Sequence, residues 1–242
     1  MLIPFETFSI QHFSALLIFL LVTFILIWLG QNSDERTKGF IGFAIAFFAL
    51  TFMVLDSICK VFNHSFEVLD DLPLFLCDVV VIILPFVIWK KNRKWLGILY
   101  FWVMAGTLQA LLTPELKEGF PSFEFFRYFI MHAGIVTAVI YSIVVWKIKI
   151  EWRDFFNAFL YVQFYIVSIH IINMIFGFNY SYTMKKPLNP TILDFMGEWP
   201  WYLLSGELLM IILFLGLMLP FLFTKRKMGS NTITDTSGIG KN

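Results

Sequence analysis

The stretch 72–89, LPLFLCDVVVIILPFVIW, decides how the chain is read. It is apolar almost throughout, yet it carries Cys77 and Asp78 near its start, and the acidic pair Asp70 and Asp71 stands just before it. Read as one helix from Leu72, it puts a thiol and a carboxylate about a turn and a half inside a membrane span. A carboxylate at bilayer depth costs at least ~2.5 kcal/mol, so other groups must face these two.

Outward from this stretch, the chain of 242 residues is 59% hydrophobic and 19% aromatic, with 14% charged residues and a mean hydropathy of +0.77. Further apolar runs at 9–30, 40–62, 95–113, 127–146, 155–176 and 202–223 come close to the ~20 residues that cross a bilayer as a helix. With 72–89 they predict an all-α polytopic membrane protein, a bundle of seven transmembrane helices over 1–224. The polar tail 225–242 reads as disordered. No soluble domain, repeat or signature of a soluble enzyme class interrupts the pattern. The charges lie mostly in loops and tail, and no basic tract with interleaved aromatics points to a nucleic-acid partner. Nothing points to a protein partner. The start of the chain lacks a basic n-region, so the first run reads as a retained span.

Orientation follows from Lys and Arg. The loops after spans one, three and five, with the tail, hold 13 of the 18. The positive-inside rule then puts the N-terminus outside and the C-terminus in the cytoplasm. Trp28, Trp89, Trp95, Trp146 and Trp152 fall at inner boundaries, and Trp199 and Trp201 at an outer one.

At ~1.5 Å per residue, Cys77 and His132 each lie ~7 to 8 Å below the tops of their spans, and Glu207 slightly deeper. Asp56, Gln109, His170 and Asn173 fall in the last third of ascending spans; Gln163 lies near mid-depth. The shared depth predicts a polar cavity under the outer leaflet lined by Cys77, His132, Asn173 and Glu207, with Gln109 at its edge. Intramembrane ionisable groups are candidate functional groups by default. Each also has a plainer role: a core histidine on a carbonyl, or Asp56 and Glu207 as partners of cations. Asp78 faces away from Cys77 on a helix, toward Arg127 or Lys60. Cys59 and Cys77 lie near the outer ends of consecutive spans, so a disulfide between them is also open.

The sharper reading joins Cys77 to His132. The thiolate is the nucleophilic form of cysteine, and a neighbouring imidazole can take the thiol proton. Asn173, His170 or Glu207 would then orient the imidazole. Beyond the first turn the helix dipole does little for Cys77, so activation rests on His132.

Several elements in this order resemble one family: LPLFLCDV at 72–79, Gln109-Ala110 followed by Thr113-Pro114, FPSFEFFRYFIMHAG at 120–134, Asn179-Tyr180-Ser181-Tyr182 with Lys186-Pro187, and LDFMGEWPWY at 193–202. It is the transmembrane-protein-164 family, and the likeness is nearest to its bacterial YwaF-type branch. The resemblance implies a multi-pass protein of the bacterial plasma membrane. Animal members are cysteine acyltransferases that move a fatty acyl chain between phospholipids, which implies Cys77 as the acyl-accepting cysteine and His132 as the catalytic histidine. The bacterial motif commonly reads LPLHLC; here Phe75 stands at the histidine position.

The expected function is therefore acyl transfer between membrane phospholipids through a thioester on Cys77. His132 is the base, Gln109 or Asn173 the oxyanion donor, and Arg127, Lys185 and Lys186 the phosphate ligands. No metal or other cofactor is required, because the acyl group arrives activated as an ester. A non-enzymatic lipid- or solute-binding protein or transporter using the same cavity is the alternative, and a lipase-like hydrolase differs only in taking water as acceptor.

Overall fold

A computed structural model of the chain describes residues 4–187 and 192–229. Its elements are α1 (Ile10–Gln31), α2 (Glu35–Phe62), α3 (Val68–Asp71), α4 (Leu76–Trp89), α5 (Arg93–Trp102), α6 (Leu108–Leu112), α7 (Phe123–Val145), α8 (Trp152–Phe176) and α9 (Trp201–Gly229). A π-helical turn over Val103–Thr107 joins α5 to α6, and 3₁₀ turns lie at Tyr180–Tyr182 and Ile192–Met196. Among the described residues six helices, with Arg93–Leu112 taken as one, are long and apolar enough to cross a membrane. The protein is an all-α polytopic membrane protein.

The third apolar run departs from its expected form. Helix α4 has 14 residues, a rise of ~21 Å against a hydrocarbon core of ~30 Å. Proline disfavours helical geometry in the residue before it, and Leu72 is extended (φ −67°, ψ 141°) ahead of Pro73. Phe75 is extended too (φ −66°, ψ 152°) and serves as the N-cap. The Asp78 carboxylate reaches back to accept from the Phe75 N–H at 3.1 Å, as the third residue of a capping box does. Cys77 therefore belongs to the first turn of α4, not a turn and a half inside it. Asp78 is committed to that cap and is not ion-paired with Arg127 or Lys60.

Caps also move other ends outward. The Asp34 carboxylate accepts from the N–H groups of Arg36 (3.0 Å) and Thr37 (3.4 Å), so α2 starts at Glu35 and not near residue 40. Ser122 Oγ accepts from Phe125 N–H at 3.1 Å and starts α7 at Phe123, which puts the expected start, Arg127, inside the helix. His132 then lies ~14 Å along α7, deeper than expected. Helix α9 runs to Gly229; residues 230–242 of the expected tail lie outside the described residues.

Helix α7 is the axis of the bundle. Of its most apolar segment 72% is buried, against 11% for α1 and 17% for α2, α8 and α9. It meets α2 through small residues, as membrane helices in close contact do: a Cβ on Gly134 would stand 2.8 Å from the Ala49 Cβ. On the α1 side, the Thr23 and Thr137 hydroxyls bond at 2.8 Å. His12, fully buried, donates from Nε2 to the Leu111 carbonyl (2.9 Å) and accepts at Nδ1 from Phe8 N–H (3.0 Å), so both ring nitrogens serve structure. At the opposite end Arg93 pairs with Asp154, one contact being Nη2 to Oδ2 at 2.8 Å, and ties the foot of α5 to the start of α8. Large apolar side chains such as Phe24, Phe164 and Leu208 face outward, as lipid contact requires.

Candidate functional site

The segment before α4 is held by the loop that follows α8. The Tyr180 hydroxyl accepts from Leu72 N–H at 2.9 Å and donates to the Val68 carbonyl at 2.8 Å. Its ring stands edge-on to Phe75, with centroids 5.1 Å apart. The Tyr165 hydroxyl donates to the Leu74 carbonyl at 2.8 Å and lies 2.7 Å from Ser181 Oγ. Asn173 fixes Tyr180 in turn: its amide donates to the Tyr180 carbonyl and to Thr183 Oγ1, both at 2.8 Å, and its oxygen accepts from Tyr180 N–H at 3.1 Å. Asn173 thus reaches the site only through the chain it positions.

Behind this segment a cavity of about 360 Å³ opens between α2, α4 and α7. Cys77, Asp78, Arg127, Tyr128 and His132 line it, with Asp56 and Lys60 from α2 and Glu115 and Tyr182 from loops. Cys77 is half-buried, a free thiol, and its sulfur lies 3.4 Å from Thr107 Oγ1. Thr107 closes the π-helical turn, a distortion that widens a helix and recurs at functional sites. At the second position of α4, the sulfur also lies near the positive end of the helix, where an anion is favoured.

His132 is buried in the wall. Its Nδ1 lies 2.8 Å from the Tyr128 carbonyl, and its ring stacks on that of Tyr128 with centroids 4.2 Å apart. A carbonyl only accepts, so Nδ1 carries the proton and Nε2 keeps its lone pair. A main-chain carbonyl one turn back thus holds the tautomer, in place of the expected Asn173, His170 or Glu207. Tyr128 itself is anchored by donating to the Ala110 carbonyl at 2.9 Å.

The mouth is a network of charges. Asp56 Oδ2 lies 3.4 Å from both Lys60 Nζ and Arg127 Nε, and Lys60 Nζ also meets Asp71 Oδ1 at 2.5 Å. Asp71 turns its other oxygen to Glu67 N–H at 2.8 Å. Asp56 is thus a partner of cations. The Arg127 Nε is buried with no hydrogen bond among the described residues. Across the mouth, the Tyr182 hydroxyl donates to Glu115 Oε2 at 2.9 Å. Burial foremost, with the Glu115 carboxylate, holds this phenol above its usual pKa, so it remains a donor at neutral pH.

The other residues singled out from the sequence lie elsewhere. Gln109 is exposed on α6. His170 is half-buried on α8. Glu207, on α9, accepts from Gln163 Nε2 at 2.6 Å, an amide partner where a cation was the plainer expectation. Lys185 is exposed; Lys186 Nζ lies 3.4 Å from Glu198 and 6.0 Å from the centre of the Tyr202 ring. Cys59 is an exposed free thiol on α2, so the disulfide is not formed. Sequence reasoning missed Thr107 and Tyr128. The only signal for Thr107 was a lone hydroxyl after Ala105-Gly106, and for Tyr128 its place one turn before His132.

Compared with known proteins, residues 7–218 match the model of the TMEM164 family. No curated protein and no solved structure matches the chain.

Proposed function

The chain belongs to the TMEM164 family, and from that premise we propose that it is a membrane-embedded acyltransferase that moves a fatty acyl chain between phospholipids through a thioester on Cys77. Supporting this above all, Cys77 and His132 open onto one cavity, with Arg127 beside them. In this reading the N-terminus faces outside and the cavity lies under the outer leaflet, with α4 and the extended residues before it as the seventh crossing.

A donor lipid enters from the bilayer with its ester carbonyl at the sulfur. His132 Nε2 takes the thiol proton as the sulfur bonds to the carbonyl carbon, giving a tetrahedral oxyanion. The Thr107 hydroxyl stands beside the sulfur to donate to that charge, the task first expected of Gln109 or Asn173. On collapse the carbon–oxygen ester bond breaks and the proton on His132 passes to the departing lysolipid oxygen, leaving the thioester. The second half reverses these steps: His132 takes the proton of an acceptor lysolipid hydroxyl as its oxygen bonds to the acyl carbon, then the carbon–sulfur bond breaks and the proton on His132 returns to the Cys77 sulfur. Arg127 turns toward the lipid phosphate. Ester is exchanged for ester, so no outside energy source is needed.

The test is transfer of a labelled acyl chain from phospholipid to a lysophospholipid by protein in bilayer nanodiscs. Wild type and Cys59→Ala should transfer; Cys77→Ala and His132→Ala should not. Full transfer by Cys77→Ala would return the cavity to a binding site.

A further inference from the structure

A second cavity, of about 460 Å³, lies at the opposite end of the bundle, where α4 and α7 end and α2 and α5 begin. Lys38, Lys91, Arg93 and Lys147 line it, with Glu35 as the one carboxylate among the described lining residues. The cations come from three separate segments of the chain, which the fold gathers. Their roles differ. Arg93 is committed to Asp154 and to the Lys149 carbonyl, and so acts as a fixed wall. Lys38 Nζ meets Glu35 Oε1 at 2.7 Å, and Lys91 Nζ lies 3.5 Å from Oε2 of the same carboxylate. Lys147 makes no ion pair among the described residues.

Two observations point to an anionic oxygen as the ligand. The Glu35 carboxylate already sits between two ammonium groups and marks where an acidic oxygen satisfies both; with its side chain 70% exposed, it can swing into water. In the cavity wall, the Trp146 indole N–H is buried and meets no acceptor among the described residues, while Lys91 Nζ stands 5.4 Å from the centre of the indole. The position selects among anions. Trp89 and Trp146 end the helices here, and tryptophan gathers at the bilayer interface. Val145 and Ile148 add apolar wall. Basic pockets between membrane helices at this level take the headgroups of acidic lipids.

We propose that this crevice binds the phosphate of an anionic phospholipid in the leaflet on that side, held by Lys38, Lys91 and Lys147, with Glu35 displaced outward. The site is independent of the Cys77 cavity and does not rest on acyl transfer. The bound lipid bridges α2, the α4–α5 turn and the α7–α8 turn.

The experiment titrates the full-length protein in phosphatidylcholine nanodiscs with fluorescent phosphatidylglycerol, with inorganic phosphate in a parallel arm. Phosphatidylglycerol should bind saturably and phosphate at equal concentration should not displace it. The triple variant Lys38→Gln, Lys91→Gln, Lys147→Gln should weaken binding on the order of 100-fold, at about fivefold per cation. Arg36→Gln, Lys90→Gln and Lys149→Gln remove the same charge from the same face and should stay within about twofold. Glu35→Gln should tighten binding. If the first triple does not fold, Lys91→Gln alone should cost about fivefold. Equal losses in the two triples would mean diffuse surface attraction and overturn the site. Displacement by inorganic phosphate would make it a free-phosphate site and overturn the lipid assignment, and absence of saturable binding would overturn both.

Discussion

Tyr180→Phe removes one oxygen from the structure and should be felt at Cys77. The Tyr180 ring packs edge-on against Phe75 and Phe178, at 5.1 and 5.6 Å between centroids, and Phe keeps both contacts. What goes is the hydroxyl that accepts from Leu72 N–H and donates to the Val68 carbonyl. Each such hydrogen bond contributes ~0.5–1.5 kcal/mol net, so the pair amounts to ~1–3 kcal/mol. Val68 is exposed and its carbonyl can turn to water, while Leu72 is half-buried, which favours the lower half of that range. At 1.4 kcal/mol per factor of ten, residues 72–75 should open ~5- to 30-fold more often. Because those residues fix where α4 starts, the opening should expose Cys77. The assay is maleimide alkylation in a Cys59→Ala background, with amide exchange at Leu72, Leu74 and Phe75 as the structural readout. Both should accelerate together while the thermal midpoint falls by only a few degrees. Unchanged alkylation and exchange in a folded variant would refute the coupling between the loop after α8 and the thiol.

Three other outcomes follow from single contacts. Asp154→Asn leaves Arg93 charged at a site where the carboxylate was 1% exposed; breaking a buried pair costs ~3–5 kcal/mol, less here because Arg93 is 33% exposed, and thermal unfolding in detergent should show a drop that Arg93→Met with Asp154→Leu partly recovers. Gly97→Ala should destabilise by the same measurement, since its Cβ would stand 2.6 Å from the Asp154 carboxyl carbon. Cysteines at Lys90 and Lys185 in a cysteine-free chain should be labelled by an impermeant reagent from opposite faces of the membrane; labelling from one face would overturn the proposed orientation.

The bundle was legible because lipid-facing helices must be apolar for about twenty residues, and no turn chemistry hides that. Cys77 and His132 were legible as ionisable groups in apolar runs. What depth could not supply was direction around each helix axis. Asn173 and Glu207 were expected at the depth of Cys77, yet one turns to the Tyr180 loop and the other to Gln163 on α8. The start of α4 was misread by four residues although Pro73 announced it: a continuous apolar run outweighed the rule that the residue before proline avoids the helical region. That shift matters chemically, because it moves Cys77 into the first turn. The π-helical turn that brings Thr107 to the sulfur had no sequence marker, since Val103–Thr107 reads as ordinary apolar helix.

The proposed thioester on Cys77 is a covalent intermediate, and trapping the acyl-enzyme decides whether it forms. Protein in nanodiscs with radiolabelled phosphatidylcholine, quenched in acid without an acceptor, should carry label that neutral hydroxylamine releases. Digestion should place the acyl mass on the peptide containing Cys77. Cys59→Ala should label like wild type, and Thr107→Val should label more slowly. A hydroxylamine-sensitive adduct on any residue other than Cys77, or none while transfer proceeds, would contradict the thioester mechanism.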